Sequence, residues 1–150
     1  QTPESGGTTV ADGVSVSTSY KLGDTVITGI TPGTGASSVL ANISAGSGTV
    51  KVLKADGTEN TGAVGTGNKI AVYANGTLVK QYDVVIYGDI NGDGKISVVD
   101  LVMMQKQILG TSQLSGAYAA AADISRDGKV SVKDLVLLQK HIINAAQIEQ

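Results

Sequence analysis

The sequence predicts a multidomain chain, in which a small all-β module precedes an all-α domain built from two loop-helix repeats. Up to about residue 86 the composition is rich in Thr, Ser, Gly and Val, with almost no helical periodicity. Two acidic twelve-residue segments then begin at Asp89 and Asp123, and each leads into apolar residues at helical spacing. With 150 residues, 41% of them hydrophobic, the chain can form one ordinary globular domain or two small ones.

The N-terminal part divides into a linker and a β-rich module. Residues 1–13 are polar and Gly-rich, which is typical of a flexible linker. In the module, which we expect to span 14–86, Asn75-Gly76 is a strong signal for a two-residue hairpin turn. Residues 37–43 are the only candidate short helix, so a mixed sheet with one helix on top is one alternative for the fold. Alternating or β-branched runs predict five strands, at 14–20, 24–30, 49–54, 69–74 and 78–86.

Two amphipathic helices are predicted in the C-terminal domain, which we expect to span 87–150. They cover 98–109 and 132–143, and they end at Gly110 and Asn144, residues that suit a helix C-terminus. Apolar residues at i, i+3 and i+7 predict the buried face of each helix: Leu101, Met104, Ile108, Leu135, Leu138 and Ile142.

The connections are short. Only Tyr87 and Gly88 separate the last predicted strand from the first acidic segment, so we expect the two parts to behave as one rigid body. A short connecting helix is predicted from about Ala117, within a run of alanines. Ile148 is expected to pack near Tyr87 and close the two ends of the domain, the alternative being a frayed tail.

Oxygen-bearing residues recur in the two acidic segments at the spacing of a calcium-binding EF-hand loop. Such a loop supplies ligands from positions 1, 3, 5, 7, 9 and 12 and turns sharply at a Gly in position 6, where Gly94 and Gly128 stand. Gly- and Asp-rich turns can carry similar strings without metal, but two copies in the same register favour two Ca²⁺ sites. Ser125 is a short neutral ligand, so we expect the second site to bind less tightly. The predicted ligands are Asp89, Asn91, Asp93, Lys95, Ser97 and Asp100 in the first loop, and Asp123, Ser125, Asp127, Lys129, Ser131 and Asp134 in the second.

Loop and exiting helix occur twice, with Asp and not Glu at position 12, in GDINGDGKISVVDLVMMQKQILG and ADISRDGKVSVKDLVLLQKHIIN. This arrangement resembles a dockerin domain over about 87–150, and the preceding module more loosely resembles an X-module, which is often Ig-like. The resemblance implies a noncatalytic domain that binds a cohesin module of a scaffoldin or cell-surface protein, as in the cellulosome-like, polysaccharide-degrading assemblies of anaerobic bacteria. It also implies a secreted protein associated with the bacterial cell surface, with the X-module as structural support.

The resemblance further implies contact positions on the helices. Each helix carries a second apolar row beside its predicted buried face, and a domain of about 60 residues can bury only part of it. Either the helices and the preceding module cover this surplus, or part of it is an exposed patch for a partner. The implied contact residues are Val98, Val99, Val102, Gln105, Lys106 and Gly110 in the first repeat, and Val132, Lys133, Val136, Gln139, Lys140 and Asn144 in the second.

Two of these contact positions depart from the usual dockerin pattern. Val98-Val99 and Val132-Lys133 stand where many dockerins have small polar pairs, so we expect a more hydrophobic contact. Because Lys133 replaces Val99 in the second copy, the two helices are not equivalent, and a lysine at the centre of a dry interface is costly. We therefore expect one orientation on the cohesin to dominate, with Val98, Val99 and Val102 central.

Other function classes find little support in the composition. One His, no Cys and scattered carboxylates outside the loops offer no acid-base or nucleophilic constellation, so neither enzymatic activity nor a small-molecule substrate is expected. The chain has no Trp or Phe on which sugars could stack, which argues against carbohydrate binding. A carbohydrate-binding or stand-alone calcium-binding module of a secreted protein is therefore kept only as the alternative to a cohesin-binding adaptor. A net charge of -2 with dispersed basic residues argues against nucleic acid, and no apolar run reaches the length of a membrane span.

Overall fold

The computed structural model describes residues 6–9, 15–23, 25–111, 113–144, 147, 148 and 150. A β-rich part is followed by a helical part, which confirms the predicted order of the two units. The elements, in chain order, are β1 (Gly6–Thr9), β2 (Ser15–Thr18), β3 (Lys21–Leu22), β4 (Val26–Thr28), α1 (Ala36–Ala41), β5 (Ile43–Ser44), β6 (Thr49–Leu53), β7 (Lys69–Ala74), β8 (Thr77–Val84), α2 (Val98–Leu109), α3 (Gly116–Ala122) and α4 (Val132–Ile142).

The N-terminal module contains two sheets. Strands β1, β2 and β5 form a three-stranded antiparallel sheet, and the second sheet has the order β3-β4-β8-β7-β6. In this second sheet β4 and β8 run parallel and the other neighbours antiparallel, so it is mixed. The predicted hairpin turn joins β7 to β8, with φ of +53° at Asn75 and +80° at Gly76, as a two-residue turn of this kind requires. The architecture therefore matches the alternative of a mixed sheet with one helix.

Part of the predicted linker is a strand. Because β1 pairs antiparallel with β2, the prediction of a linker over residues 1–13 is wrong for residues 6–9. Local composition does not reveal this strand, since its stability comes from backbone hydrogen bonds to a partner strand that follows in sequence. Residues 1–5 and 10–13 of the predicted linker lie outside the described residues.

One apolar core holds the module together. Helix α1 lies against β5 and β6, and it buries Val39 with Ile27, Ile70 and Tyr82 from three strands of the mixed sheet. These side chains are almost completely removed from water, which is the main stabilising contribution in a small domain. The core continues through Ile86, the residue at which the chain leaves the module.

A second apolar core lies between α2 and α4. Met104 and Leu138 stand at equivalent positions of the two repeats, and both are fully buried. The other residues of the predicted buried faces are partly buried against the same cluster: Leu101, Ile108, Leu135 and Ile142. The helical spacing thus predicted correctly which faces meet.

Each long helix begins inside its acidic loop. The backbone N–H of Ser97 donates to the Asp100 carboxylate at 2.8 Å, and the N–H of Ser131 donates to Asp134 at 2.9 Å. A carboxylate in the first turn also interacts favourably with the helix dipole. Helix α2 ends at Gly110, whose φ of +80° suits a left-handed C-terminal residue. Among the described residues, no helix combines the length and apolar character needed to cross a bilayer.

Candidate functional site

Three carboxylates converge in each acidic loop. Asp89, Asp93 and Asp100 place one oxygen each within 4.8 Å of one another, and the second loop does the same with Asp123, Asp127 and Asp134. Gathering three like charges is unfavourable unless a cation lies between them. A set of oxygen donors of this kind fits a hard ion such as Ca²⁺. The structure therefore brings together the predicted ligands at positions 1, 5 and 12 of both loops.

Backbone N–H groups orient these carboxylates. In the first loop Asp89 accepts hydrogen bonds from the N–H groups of Gly92, Asp93 and Gly94, at 3.1, 3.2 and 2.9 Å. Asp100 accepts from the N–H groups of Ile90 and Asn91 at 2.8 and 3.0 Å. Because each carboxylate is held by its own loop, the loop is folded around the site and not merely adjacent to it.

The second loop repeats this pattern. Asp123 accepts hydrogen bonds from the N–H groups of Asp127 and Gly128, at 3.2 and 2.9 Å. Asp134 accepts from the N–H of Ser125 at 2.8 Å. Position 12 thus closes both the loop and the first turn of the following helix, in each repeat.

Burial changes the acidity of the loop carboxyls. The pKa of Asp89 is raised to about 6, mainly because the carboxyl is removed from water. The nearby negative charges of Asp100 and Asp93 also raise this pKa. Burial also raises the pKa of Asp100. The exposed Asp127 has a lowered pKa, chiefly because the N–H of Lys129 donates to it. A cation in the first loop would favour the ionised form of its buried carboxyls.

Ser125, at ligand position 3 of the second loop, has a buried hydroxyl oxygen that makes no hydrogen bond of regular geometry. The Ser125 side chain also contributes to the lowered pKa of Asp127. A buried hydroxyl without a good partner is unfavourable, and a bound ion would satisfy it. The carboxylates and this hydroxyl therefore fit a calcium ion. The ligand roles of the remaining residues stay predictions: Asn91, Lys95, Ser97, Lys129 and Ser131.

The two long helices present matched apolar side chains to solvent. Val98 and Val132 are 58% and 59% exposed, and Val102 and Val136 are 40% and 39% exposed. All twelve predicted contact residues are exposed, so the helices and the β-module do not cover them. We call the exposed apolar set the valine face: Val98, Val99, Val102, Leu109, Val132, Val136 and Ile143.

Two members of the valine face were not among the predicted contact residues. Leu109 and Ile143 are 75% and 71% exposed. In the sequence they belong to the second apolar row of the two helices, which consists of Val98, Val102 and Leu109 in the first repeat and Val132, Val136 and Ile143 in the second. Leu109 is the last residue of α2 and Ile143 directly follows α4, and this shared position at the end of the apolar row could have indicated them.

Comparison with known proteins agrees with this geometry. The family model of the dockerin type I domain matches residues 87–143. These residues form a dockerin domain. A dockerin is a noncatalytic module that binds calcium, which agrees with the two carboxylate clusters. No curated protein matches the sequence.

Two solved structures from Acetivibrio cellulolyticus are similar to part of this chain. Both are complexes of the third ScaC cohesin with the ScaB dockerin, mutated from IN to SI in the N-terminal or the C-terminal helix, and displaying a type I interaction. The first is 25% identical, with a TM-score of 0.41, and the match covers 43% of this chain and 92% of that one. The second is 26% identical, with a TM-score of 0.40, and the match covers 43% and 96%.

The first loop of the dockerin domain lies directly against the β-module. The N–H of Thr66 donates to the Asp89 carboxylate at 3.0 Å, and the N–H of Gly33 donates to the carbonyl of Gly94 at 2.8 Å. Asp89 is fully buried as a result. Asp123, its counterpart in the second loop, is only half-buried.

The two ends of the dockerin domain are tied together at Tyr87. The Gln150 side chain accepts a hydrogen bond from the Tyr87 N–H at 2.7 Å and donates one to its carbonyl at 2.9 Å. The Ile148 side chain reaches Gly88, beside Tyr87, which confirms the expected closure of the ends. Arg126, from the second loop, stacks on the Tyr87 ring with its guanidinium 3.9 Å from the ring centre.

Proposed function

We propose that this protein is a noncatalytic, calcium-dependent adaptor, whose dockerin domain binds a cohesin module and so attaches the parent protein to a scaffoldin or a cell-surface multienzyme complex. Its place of action is extracellular. Each loop holds one Ca²⁺ through its six predicted ligands. The partner's contacts come from the valine face and from the polar residues around it: Gln105, Lys106, Gly110, Lys133, Gln139, Lys140 and Asn144.

The matched exposure of the valine face carries this proposal. Equivalent side chains of two repeats are exposed to nearly the same extent, although water-exposed valines, leucines and isoleucines on adjacent helices are unfavourable in isolation. A contiguous exposed apolar patch typically marks a protein interaction site. The dockerin assignment supplies the partner, since dockerin domains bind cohesins.

Calcium acts through the start of each helix. Asp100 and Asp134 belong to the carboxylate clusters and also accept the hydrogen bonds from Ser97 and Ser131 that begin α2 and α4. An ion in the loop therefore fixes the first turn, where Val98 and Val132 stand. Loss of the ion would release the carboxylates from each other and loosen these turns.

The β-module supports the dockerin domain and does not itself bind the cohesin in this proposal. Its contacts with Asp89 and Gly94 fix the first loop relative to the mixed sheet. The module thus limits the motion of the first helix, in agreement with the rigid connection that the two-residue junction predicts.

A calorimetric titration against a panel of type I cohesins, with calcium and with EDTA, tests the proposal. We expect binding only in calcium. Val98→Asp should weaken it by about 30-fold, because a charge would enter the apolar contact. Leu78→Asp is the matched control, since Leu78 is 47% exposed but belongs to the β-module. Equal binding with and without calcium, or equal losses in the two variants, would contradict the proposed interface.

A further inference from the structure

The contact between the modules is centred on the first calcium loop. Gly65 of the β-module lies so close to this loop that an added methyl group would overlap the Gly92 carbonyl and come within 2.7 Å of the Gly94 nitrogen. A methyl group on Gly92 would lie 2.5 Å from the Thr66 carbonyl oxygen. Two backbones approach this closely only where both lack side chains.

The β-module segment that meets the loop is itself well held. The Asn68 side chain accepts hydrogen bonds from the Asn60 side chain at 2.7 Å and from the Gly65 N–H at 3.1 Å. The Thr66 hydroxyl donates to the Ile86 carbonyl at 3.1 Å and accepts from the Ile86 N–H at 3.0 Å. The Thr66 N–H is therefore fixed in place when it donates to Asp89.

The surroundings of the glycine at position 6 differ between the two loops, and only the first loop is enclosed by the β-module at this position. A methyl group on Gly94 would lie 2.8 Å from the Val64 carbonyl oxygen, whereas one on Gly128 would meet nothing within 4 Å. Asp89 receives a hydrogen bond from another module, whereas the donors to Asp123 named above belong to its own loop. The loops have the same ligand spacing but different surroundings.

We infer that residues 63–66 of the β-module form the outer wall of the first calcium site, and that docking of this wall and binding of the first ion stabilise each other. This inference rests on the calcium binding in the proposed function. The Thr66 N–H orients the Asp89 carboxylate before the ion arrives, and such outer hydrogen bonds typically affect metal affinity by about 10- to 100-fold. By thermodynamic reciprocity, the first ion also holds the wall against the loop, and the second ion does not.

Gly65→Ala tests the wall from the β-module side. Gly65 lies outside the positive φ range, so alanine fits its backbone and only the contact with the loop is disturbed. Gly62→Ala is the matched control, because its methyl group would meet only the Asn60 side chain, at 3.7 Å. Each change is made in two backgrounds: Asp127→Ala, which leaves the first site to be measured, and Asp93→Ala, which leaves the second.

The readout is the rate of calcium release into a fluorescent chelator, measured on the whole chain. We expect Gly65→Ala to accelerate release from the first site by about tenfold or more and release from the second by less than about twofold. Gly62→Ala should leave both rates within about twofold. Equal acceleration at both sites, or none at the first, would overturn the inference.

A second measurement needs no change in the wall. In the Asp127→Ala background, the amide resonance of Thr66 should move with calcium in step with occupancy of the first site, and in the Asp93→Ala background it should stay in place. If the Thr66 amide resonance does not change when the first ion binds, the inference is overturned, while the proposed cohesin binding is unaffected. A parent chain that binds no calcium at millimolar concentration overturns the proposed function and this inference together.

Discussion

The two loop-helix repeats follow one design but have different neighbours. In the first, Asp89 is fully buried and accepts a hydrogen bond from the β-module. In the second, Asp123 is half-buried, and at position 4 Arg126 reaches the Tyr87 ring where the first repeat has Gly92. The ligand spacing sets the local loop, but the fold decides how well each loop is enclosed. Duplication therefore yields two carboxylate clusters of the same spacing that differ in how they are enclosed.

The two helices after the loops, by contrast, have similar surroundings and differ mainly in sequence. Their apolar residues are exposed to nearly the same extent, as with Val102 and Val136, so the surroundings are symmetric. The main difference lies in the sequence, where Val99 faces solvent in one helix and Lys133 in the other. The loops thus differ through packing, and the exposed faces of the two helices differ through side-chain chemistry.

Calcium removal should have the largest effect and should separate the repeats. At a free concentration about 1,000 times the dissociation constant, each occupied site contributes about 4 kcal/mol to the stability of the folded state. We expect EDTA to lower the melting temperature of the dockerin domain and to reduce hydrogen-exchange protection more in α4 than in α2, because the wall still holds the first loop. An unchanged melting curve would argue against occupied loops, and equal loss of protection would argue against the difference between them.

Truncation of the shared core should affect the two repeats equally. Met104→Ala and Leu138→Ala each remove a fully buried side chain from the same cluster, and each should lower the free energy of unfolding by about 2–5 kcal/mol. Urea unfolding in excess calcium, followed by the helical signal, measures this. Leu109→Ala and Ile143→Ala are the exposed controls, with expected changes below about 0.5 kcal/mol. If one substitution lowered the free energy of unfolding much more than the other, the helix of that repeat would provide most of the stability of the domain.

Exchange of the side chains at the unlike pair Val99 and Lys133 should change cohesin affinity unequally. Val99→Lys places a charge in the proposed dominant contact and should weaken binding by about tenfold, which corresponds to 1.4 kcal/mol. Lys133→Val should change the affinity by less than about threefold, because in the dominant orientation this position lies away from the centre. Calorimetry with one cohesin measures both variants. Equal effects would contradict a preferred orientation.

Local patterns predicted the site well. The carboxylate clusters at positions 1, 5 and 12 of both loops and the buried faces of α2 and α4 depend on spacings of a few residues, and they were readable from the sequence. The twelve contact residues implied by the dockerin resemblance are exposed, and their role as contacts stays a prediction. These features are determined within one repeat, where periodicity is informative.

Very short strands and contacts between distant segments were missed. Strands β1, β3 and β5 have only two to four residues, too few to show an alternating pattern, although β1 and β3 pair with the next strand along the chain. The hydrogen bond from Thr66 to Asp89 links residues 23 positions apart. Its donor is a backbone N–H, so no pattern of side chains predicts it. Gly65 likewise shows no sign of its role in the sequence, because glycine is common throughout the β-module.

Exchange of the ligand at position 3 should have the smallest effect and would separate ligand chemistry from packing. The N–H of Ser125 donates to Asp134 at 2.8 Å, and the N–H of Asn91 donates to Asp100 at 3.0 Å, so the two backbones are alike and asparagine fits the second loop. An amide oxygen reaches an ion more easily than a serine hydroxyl, and Ser125→Asn should tighten the second site on the order of threefold. Asn91→Ser should weaken the first by a similar factor. If Ser125→Asn instead makes the two sites equal in affinity and release rate, the ligand alone explains their difference and the wall contributes nothing.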